Sequence, residues 1–83
     1  MAYNITYKSS IKRDLKKINK ADARRILDQL EKDLARSPND YPALKGEFAG
    51  LRKYRVGDYR VIFAIVETDV IILRIGNRKD VYR

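Results

Sequence analysis

The sequence predicts an α+β fold in the order β-α-α-β-β-β, with two N-terminal helices packed on one face of a small antiparallel sheet. Three observations predict it. Residues 2–7 alternate polar and apolar, residues 11–34 place apolar side chains at helical spacing, and residues 51–75 hold three β-rich runs parted by short turn signals. A chain of 83 residues is expected to form one domain, 1–83, with no room for a second folding unit. At this size only about 60% of the surface exposed by the unfolded chain becomes buried, so stability is expected to be modest.

In "AYNITY", Tyr3, Ile5 and Tyr7 share one face and Asn4 and Thr6 the other, which is the period of a half-buried strand. Ser9 and Ser10 can cap a helix whose apolar residues Ile11, Leu15 and Ile18 recur at i, i+4 and i+7. "INKADA" ends or bends it. Ala23, Ile26, Leu27, Leu30 and Leu34 then form the apolar stripe of a second helix, which ends before Ser37-Pro38. "SPNDYPALKGEFAG" contains both prolines and two of the four glycines, so it reads as a loop joining the helical half to the sheet half. Beyond it, "LRKYRV", "YRVIFAIV" and "VIILRI", separated by "GD" and "ETD", form a three-stranded antiparallel meander.

A two-residue turn at Gly57-Asp58, with glycine supplying positive φ, sets Val56 opposite Tyr59 and Arg55 opposite Arg60. Alternation then puts Arg52, Tyr54, Val56, Tyr59, Val61, Phe63 and Ile65 on one surface, under the helices. Leu51, Lys53, Arg55, Arg60, Ile62 and Ala64 fall on the other. If "ETD" pairs Val66 with Val70, the last strand adds Ile72, Arg74 and Arg78 to the open side and Ile71, Leu73 and Ile75 to the core; the opposite register would bury Arg74. Like charges directly opposite one another destabilise a sheet, so Arg55 beside Arg60, with Lys53 nearby, calls for an anion. The alternative is a solvated face whose arginines splay apart into water.

Composition narrows the chemistry. There is no cysteine and no histidine, so disulfides, thiolate metal sites and the commonest transition-metal ligand are missing, and neither metal nor cofactor is expected. The lack of cysteine suits a reducing cytoplasm. No apolar run is long enough for a signal peptide or the roughly 20 residues of a membrane span, so a soluble protein without a membrane partner is expected. Nineteen Lys plus Arg against eleven Asp plus Glu give a net charge of +8, which attracts polyanions such as nucleic acid or an acidic protein. Asp14, Asp22, Asp28, Glu31 and Asp33 sit on the helices at spacings that suit charge pairs with neighbouring lysines and arginines rather than catalysis.

Without histidine, cysteine or paired carboxylates on the open face, guanidinium and ammonium groups and Tyr82 remain. These can bind a phosphodiester and stabilise a pentacovalent transition state. RNA carries its own nucleophile in the 2′-hydroxyl, so an enzyme need only align it, remove its proton and neutralise the developing charge. A lysine crowded by arginines holds its proton less firmly, which makes Lys53 a candidate general base. Arg60 is the candidate phosphate holder, Arg78 or Arg55 the stabiliser of the leaving 5′-oxygen, and Tyr82 a base-stacking residue. Arg52, Arg74, Asn77 and Lys79 are candidate RNA contacts.

"LKGEFAGLRKYRVGDYRVIFAI" followed by "GNRKDVYR" resembles the RelE/ParE superfamily of bacterial and archaeal toxins along essentially the whole chain. The RelE-like branch implies the compact fold of the RelE-like microbial ribonucleases. It also implies a ribosome-dependent endoribonuclease that cuts mRNA in the decoding site and leaves a 2′,3′-cyclic phosphate. On that resemblance Lys53 and Arg55 stand where paired basic residues serve as base and charge stabiliser. Arg60 matches the phosphate-holding arginine, Arg78 the arginine after the last strand and Tyr82 the aromatic that stacks on mRNA. Many relatives read "GHRKDVYR"; Asn77 in place of that histidine cannot move protons, so activity is expected to be slower or to rest on the lysine. The chain stops at Arg83, where some members continue into a C-terminal helix, which is expected to leave the open face and Tyr82 more mobile.

The same resemblance implies an acidic, RelB-like antitoxin laid across Lys53, Arg55, Arg60 and Arg78 or against the helices, folding as it binds. The small ribosomal subunit and mRNA are the other expected partners, and operator DNA is reached only through the antitoxin. Two alternatives stand beside the nuclease. One is a ParE-like inhibitor of DNA gyrase, a branch that typically lacks the terminal tyrosine and much of the basic cluster; the other is a non-catalytic member that only binds its antitoxin.

Overall fold

The computed structural model describes residues 2–46 and 50–77. In order they form β1 (Asn4–Tyr7), α1 (Ile11–Lys16), α2 (Lys20–Arg36), a 3-10 turn (Pro38–Asp40), β2 (Arg52–Val56), β3 (Tyr59–Val66) and β4 (Asp69–Asn77). The order matches the sequence expectation, and the helices cover one face of the sheet. The sheet runs β1-β4-β3-β2 and is mixed rather than antiparallel throughout, because β1 pairs parallel with β4. The reason is the path of the chain. The helical pair carries it from one sheet edge to the other, and three antiparallel strands then step back, so the last one arrives beside β1 running the same way.

"INKADA" parts the helices as expected. Asn19 caps α2 by accepting a hydrogen bond from the Asp22 backbone N–H at 2.8 Å. Ser10 occupies the N-cap of α1 without a side-chain bond to the helix. The apolar stripe of α2 delivers Ile26, Leu30 and Leu34, all fully buried, onto Val61, Phe63, Val70 and Ile72, with Ile11 and Ile18 completing the core. Burial of side chains this size is worth roughly 1.5–3 kcal/mol each.

The acidic residues of α2 do more than pair with neighbouring bases. Tyr7 of β1 donates to Glu31, Tyr54 of β2 donates to Asp33 at 2.5 Å, and Tyr59 of β3 donates to Asp22 at 3.1 Å. One helix thereby fastens three strands. The expected charge pairing is seen for Asp22 with Arg25 at 3.8 Å.

The register of β2 on β3 is the one read from the sequence: Val56 opposes Tyr59 and Arg55 opposes Arg60, around a turn in which Gly57 has φ +58°. The register of β4 is different. A two-residue turn, Glu67-Thr68, pairs Val66 with Asp69 instead of Val70, so Val70 and Ile72 enter the core and Ile71 takes the opposite face. A bulge then leaves Leu73 as an extra residue, since Ile62 pairs with Arg74 and Phe63 with Ile72. The bulge returns Arg74 to the face of Ile62 and Ile75 to the core. Ile71, Leu73 and Ile72 are therefore corrected, while Arg74 and Ile75 lie on the sides expected.

Candidate functional site

Lys53, Arg55 and Arg60 project from the face of the sheet away from the helices. The adjacent strands β2 and β3 carry them, with Arg55 directly across from Arg60 and Lys53 across from Ile62. Directly opposed residues lie about 4.5–5.5 Å apart at Cα, so two guanidinium groups and an ammonium can reach one phosphodiester from neighbouring positions. Lys53 and Arg60 are half-buried and Arg55 is exposed.

These three cations line a hollow of about 310 Å³ together with Tyr41, Pro42 and Tyr54. Tyr41 and Pro42 come from the loop before β2, which the sequence marked only as a connector. The loop is pinned to the strand. The Leu44 N–H donates to Leu51 O at 2.8 Å and the Lys53 N–H to Pro42 O at 3.2 Å. The ring of Tyr41 stands edge-to-face against Tyr54, with centroids 5.0 Å apart, and against Phe63 at 6.5 Å. Burial raises the Tyr41 hydroxyl above its usual range, and the nearby Asp33 and Asp40 carboxylates add to this. Burial, followed by the hydrogen bond to Asp33, raises the Tyr54 hydroxyl much further. Both therefore stay neutral donors.

The other candidates are placed differently. Arg52 alternates to the helix side and donates from Nη1 to Tyr41 O at 2.7 Å and Asn39 O at 3.4 Å, so it positions the loop and does not join the cationic face. Arg74 turns toward α1, where its Nε lies 3.7 Å from Asp14 Oδ2, the same oxygen that accepts the Ile75 N–H at 3.1 Å. The carboxylate of Asp14 thus draws Arg74 away from Lys53 and Arg55. Asn77 ends β4 opposite Tyr59. Arg78, Lys79 and Tyr82 lie outside the described residues. Among those described, no three His, Cys, Asp or Glu side chains gather to hold a metal, and no helix is long and apolar enough to cross a membrane.

A two-helix layer on a β1-β4-β3-β2 sheet, with basic residues on the uncovered face, defines a class already represented among known proteins. The family model described as the ParE toxin of type II toxin-antitoxin system, parDE, matches residues 5–82, and the chain belongs to this family, within the RelE/ParE toxin superfamily. It is 33% identical over 86 residues to Toxin RelG of Mycobacterium tuberculosis, covering 100% of this chain and 99% of that protein. The crystal structure of the toxin-antitoxin complex RelBE2 from the same organism contains a chain that superimposes with a TM-score of 0.88 at 30% identity, covering 94% of this chain and 100% of that one. A mutant of Escherichia coli toxin RelE in the free state shares the fold, with a TM-score of 0.77 at 16% identity over 99% of this chain and 90% of that chain.

Proposed function

We propose that this toxin is a metal-independent, ribosome-dependent endoribonuclease that cuts mRNA in the ribosomal A site. One observation carries the reading: Lys53, Arg55 and Arg60 converge on a single hollow on the uncovered face of the sheet. Three cations on adjacent strands suit a phosphodiester whose charge grows in the transition state. Lys53 is the general base that takes the proton of the 2′-hydroxyl. The 2′-oxygen bonds to phosphorus, the bond from phosphorus to the 5′-oxygen breaks, and that oxygen takes up a proton. The products are a 2′,3′-cyclic phosphate and a 5′-hydroxyl. Arg60 holds the scissile phosphate and Arg55 the added charge, with Arg78 near the leaving oxygen and Tyr82 stacked on a base.

A RelB-like acidic antitoxin is the natural regulator of such a face, and the relative of known structure with a TM-score of 0.88 is itself part of a toxin-antitoxin complex. A second reading, inhibition of DNA gyrase, draws on the ParE name of the matching family. The identity to Toxin RelG over the full chain and the cationic hollow favour the first. Cell-free translation separates them. The nuclease cuts mRNA within codons only when ribosomes are present, a gyrase inhibitor blocks supercoiling and leaves mRNA intact, and a purely antitoxin-binding member does neither.

A further inference from the structure

Two of the three cations sit at the tip of the β2–β3 hairpin. Arg55 and Arg60 oppose one another one pair before Val56 and Tyr59, which close the strands on the Gly57-Asp58 turn. The end of a hairpin opens more readily than its middle, and like charges directly opposed there push the two strands apart. A face that is to hold one anion with both arginines therefore needs its tip held from elsewhere.

The hold comes from the helix side and converges on one carboxylate. Tyr59 donates its hydroxyl to Asp22 Oδ2 at 3.1 Å, the oxygen that also accepts from Asn19 Nδ2 at 2.9 Å. Asn19 in turn accepts the Asp22 N–H at 2.8 Å, so reciprocal bonds fix the carboxylate in the first turn of α2. Arg25 lies 3.8 Å from Asp22 Oδ1, and its Nη2 comes within 3.2 Å of where a Cβ on Gly57 would sit, so the same stretch of helix reaches the hairpin loop. The hydrogen bond to Asp22 raises the Tyr59 hydroxyl above its usual range and keeps it a donor. Successive side chains of a strand point to opposite faces, so tying Tyr59 down to α2 aims Arg60 the other way, beside Arg55.

We propose that Asp22 and Tyr59 are positioning residues for the cationic face: their hydrogen bond holds the hairpin tip so that Arg55 and Arg60 meet one phosphodiester together. Both lie on the helix-covered side and act only through the arginines. Their effect on cleavage rests on the nuclease reading above. Their effect on anion binding does not.

Tyr59→Phe deletes the hydrogen bond and leaves ring and charge unchanged. In single-turnover cleavage with toxin in saturating excess over ribosome-bound mRNA, a smaller folded fraction shifts the half-saturation point but not the plateau rate, so the plateau reads positioning rather than stability. Tyr59→Phe is expected to lower that plateau about 10-fold. Asp22→Ala lowers it equally, and the two together no further than either alone, whereas Asp22→Asn keeps an oxygen for the tyrosine and stays near wild type. An unchanged plateau in Tyr59→Phe, or additive losses, would overturn the assignment and leave the nuclease standing. A second measurement needs no cleavage. Asp22→Ala removes one negative charge and takes the net charge from +8 to +9, which by itself tightens binding to a polyanion. Positioning predicts the reverse: a single-stranded 2′-O-methyl oligonucleotide binds about 3- to 10-fold more weakly to Asp22→Ala and to Tyr59→Phe than to the wild type. Equal or tighter binding would remove the role. If the wild-type protein cuts no mRNA, the nuclease reading fails by itself, and the oligonucleotide comparison alone decides for Asp22 and Tyr59; a wild type that binds no oligonucleotide ends the proposal too.

Discussion

Arg55 and Arg60 were legible as a pair because Gly57-Asp58 is a turn of fixed length, and a fixed turn sets the register of the strands it joins. Arg52 and Arg74 were not. Both belong to basic clusters in the sequence, yet each is drawn to a partner that sequence spacing does not reveal: Arg52 to carbonyls of Asn39 and Tyr41, and Arg74 to Asp14 on α1. Tyr41 was missed because a loop has no period to read. On the proposed mechanism Arg60→Ala lowers the cleavage rate about 10²–10³-fold, as loss of one transition-state donor does, measured on ribosome-bound mRNA in single turnover. A rate near wild type would exclude Arg60 as the phosphate holder. Tyr54→Phe is expected to cost about 1.5–3 kcal/mol in urea unfolding, because it removes a donor to a partly buried carboxylate, Asp33.

The β3–β4 turn shows how an element can diverge from its sequence pattern. "ETD" lacks glycine, asparagine and proline, so nothing in it announces a two-residue turn, and Glu67 adopts φ +56° to make one. An L-residue there is strained by roughly 1–2 kcal/mol, so Glu67→Gly is expected to raise the urea midpoint, with a net gain of about 1 kcal/mol or less. A lower midpoint would argue against this turn. The bulge at Leu73 follows from the same short turn: one residue gained at the hairpin is given back within β4, and Ile75 reaches the core. The strap between α1 and β4 is similarly local. Asp14 accepts from the Ile75 N–H and neighbours Arg74, so Asp14→Ala strips a backbone donor of its partner and is expected to cost about 1–3 kcal/mol.

At the scale of the whole molecule, charge and tyrosine burial set the response to salt and pH. On the proposed nuclease reading, and with a net charge of +8, RNA binding is expected to weaken as salt rises, with a log-log slope near −0.7 for each phosphate contacted on a single strand. Filter binding across a salt series should show it; a flat response would exclude phosphate neutralisation as the source of affinity. Tyr7 and Tyr54 both hold their protons more tightly when folded than the usual tyrosine value of 10.0, chiefly through burial and then through their bonds to Glu31 and Asp33. The folded state therefore binds more protons above that value. The stabilisation is complete below about pH 10 and is lost progressively above it. Urea midpoints should hold up to about pH 10 and fall above it, and by less in Tyr54→Phe.

The sequence by itself determined the element order, the helix-facing stripe of α2, the Arg55–Arg60 pairing and the membership in a toxin superfamily, because each rests on a local period, a local turn or a contiguous motif. Only the tertiary structure decided that β1 runs parallel to β4, that Arg74 is drawn to Asp14, and that Tyr41 and Pro42 line the hollow beside the cations. Those outcomes depend on groups far apart in the chain, up to 65 residues for Asn4 and Asp69, whose pairing is settled by burial and hydrogen bonding once the layers close.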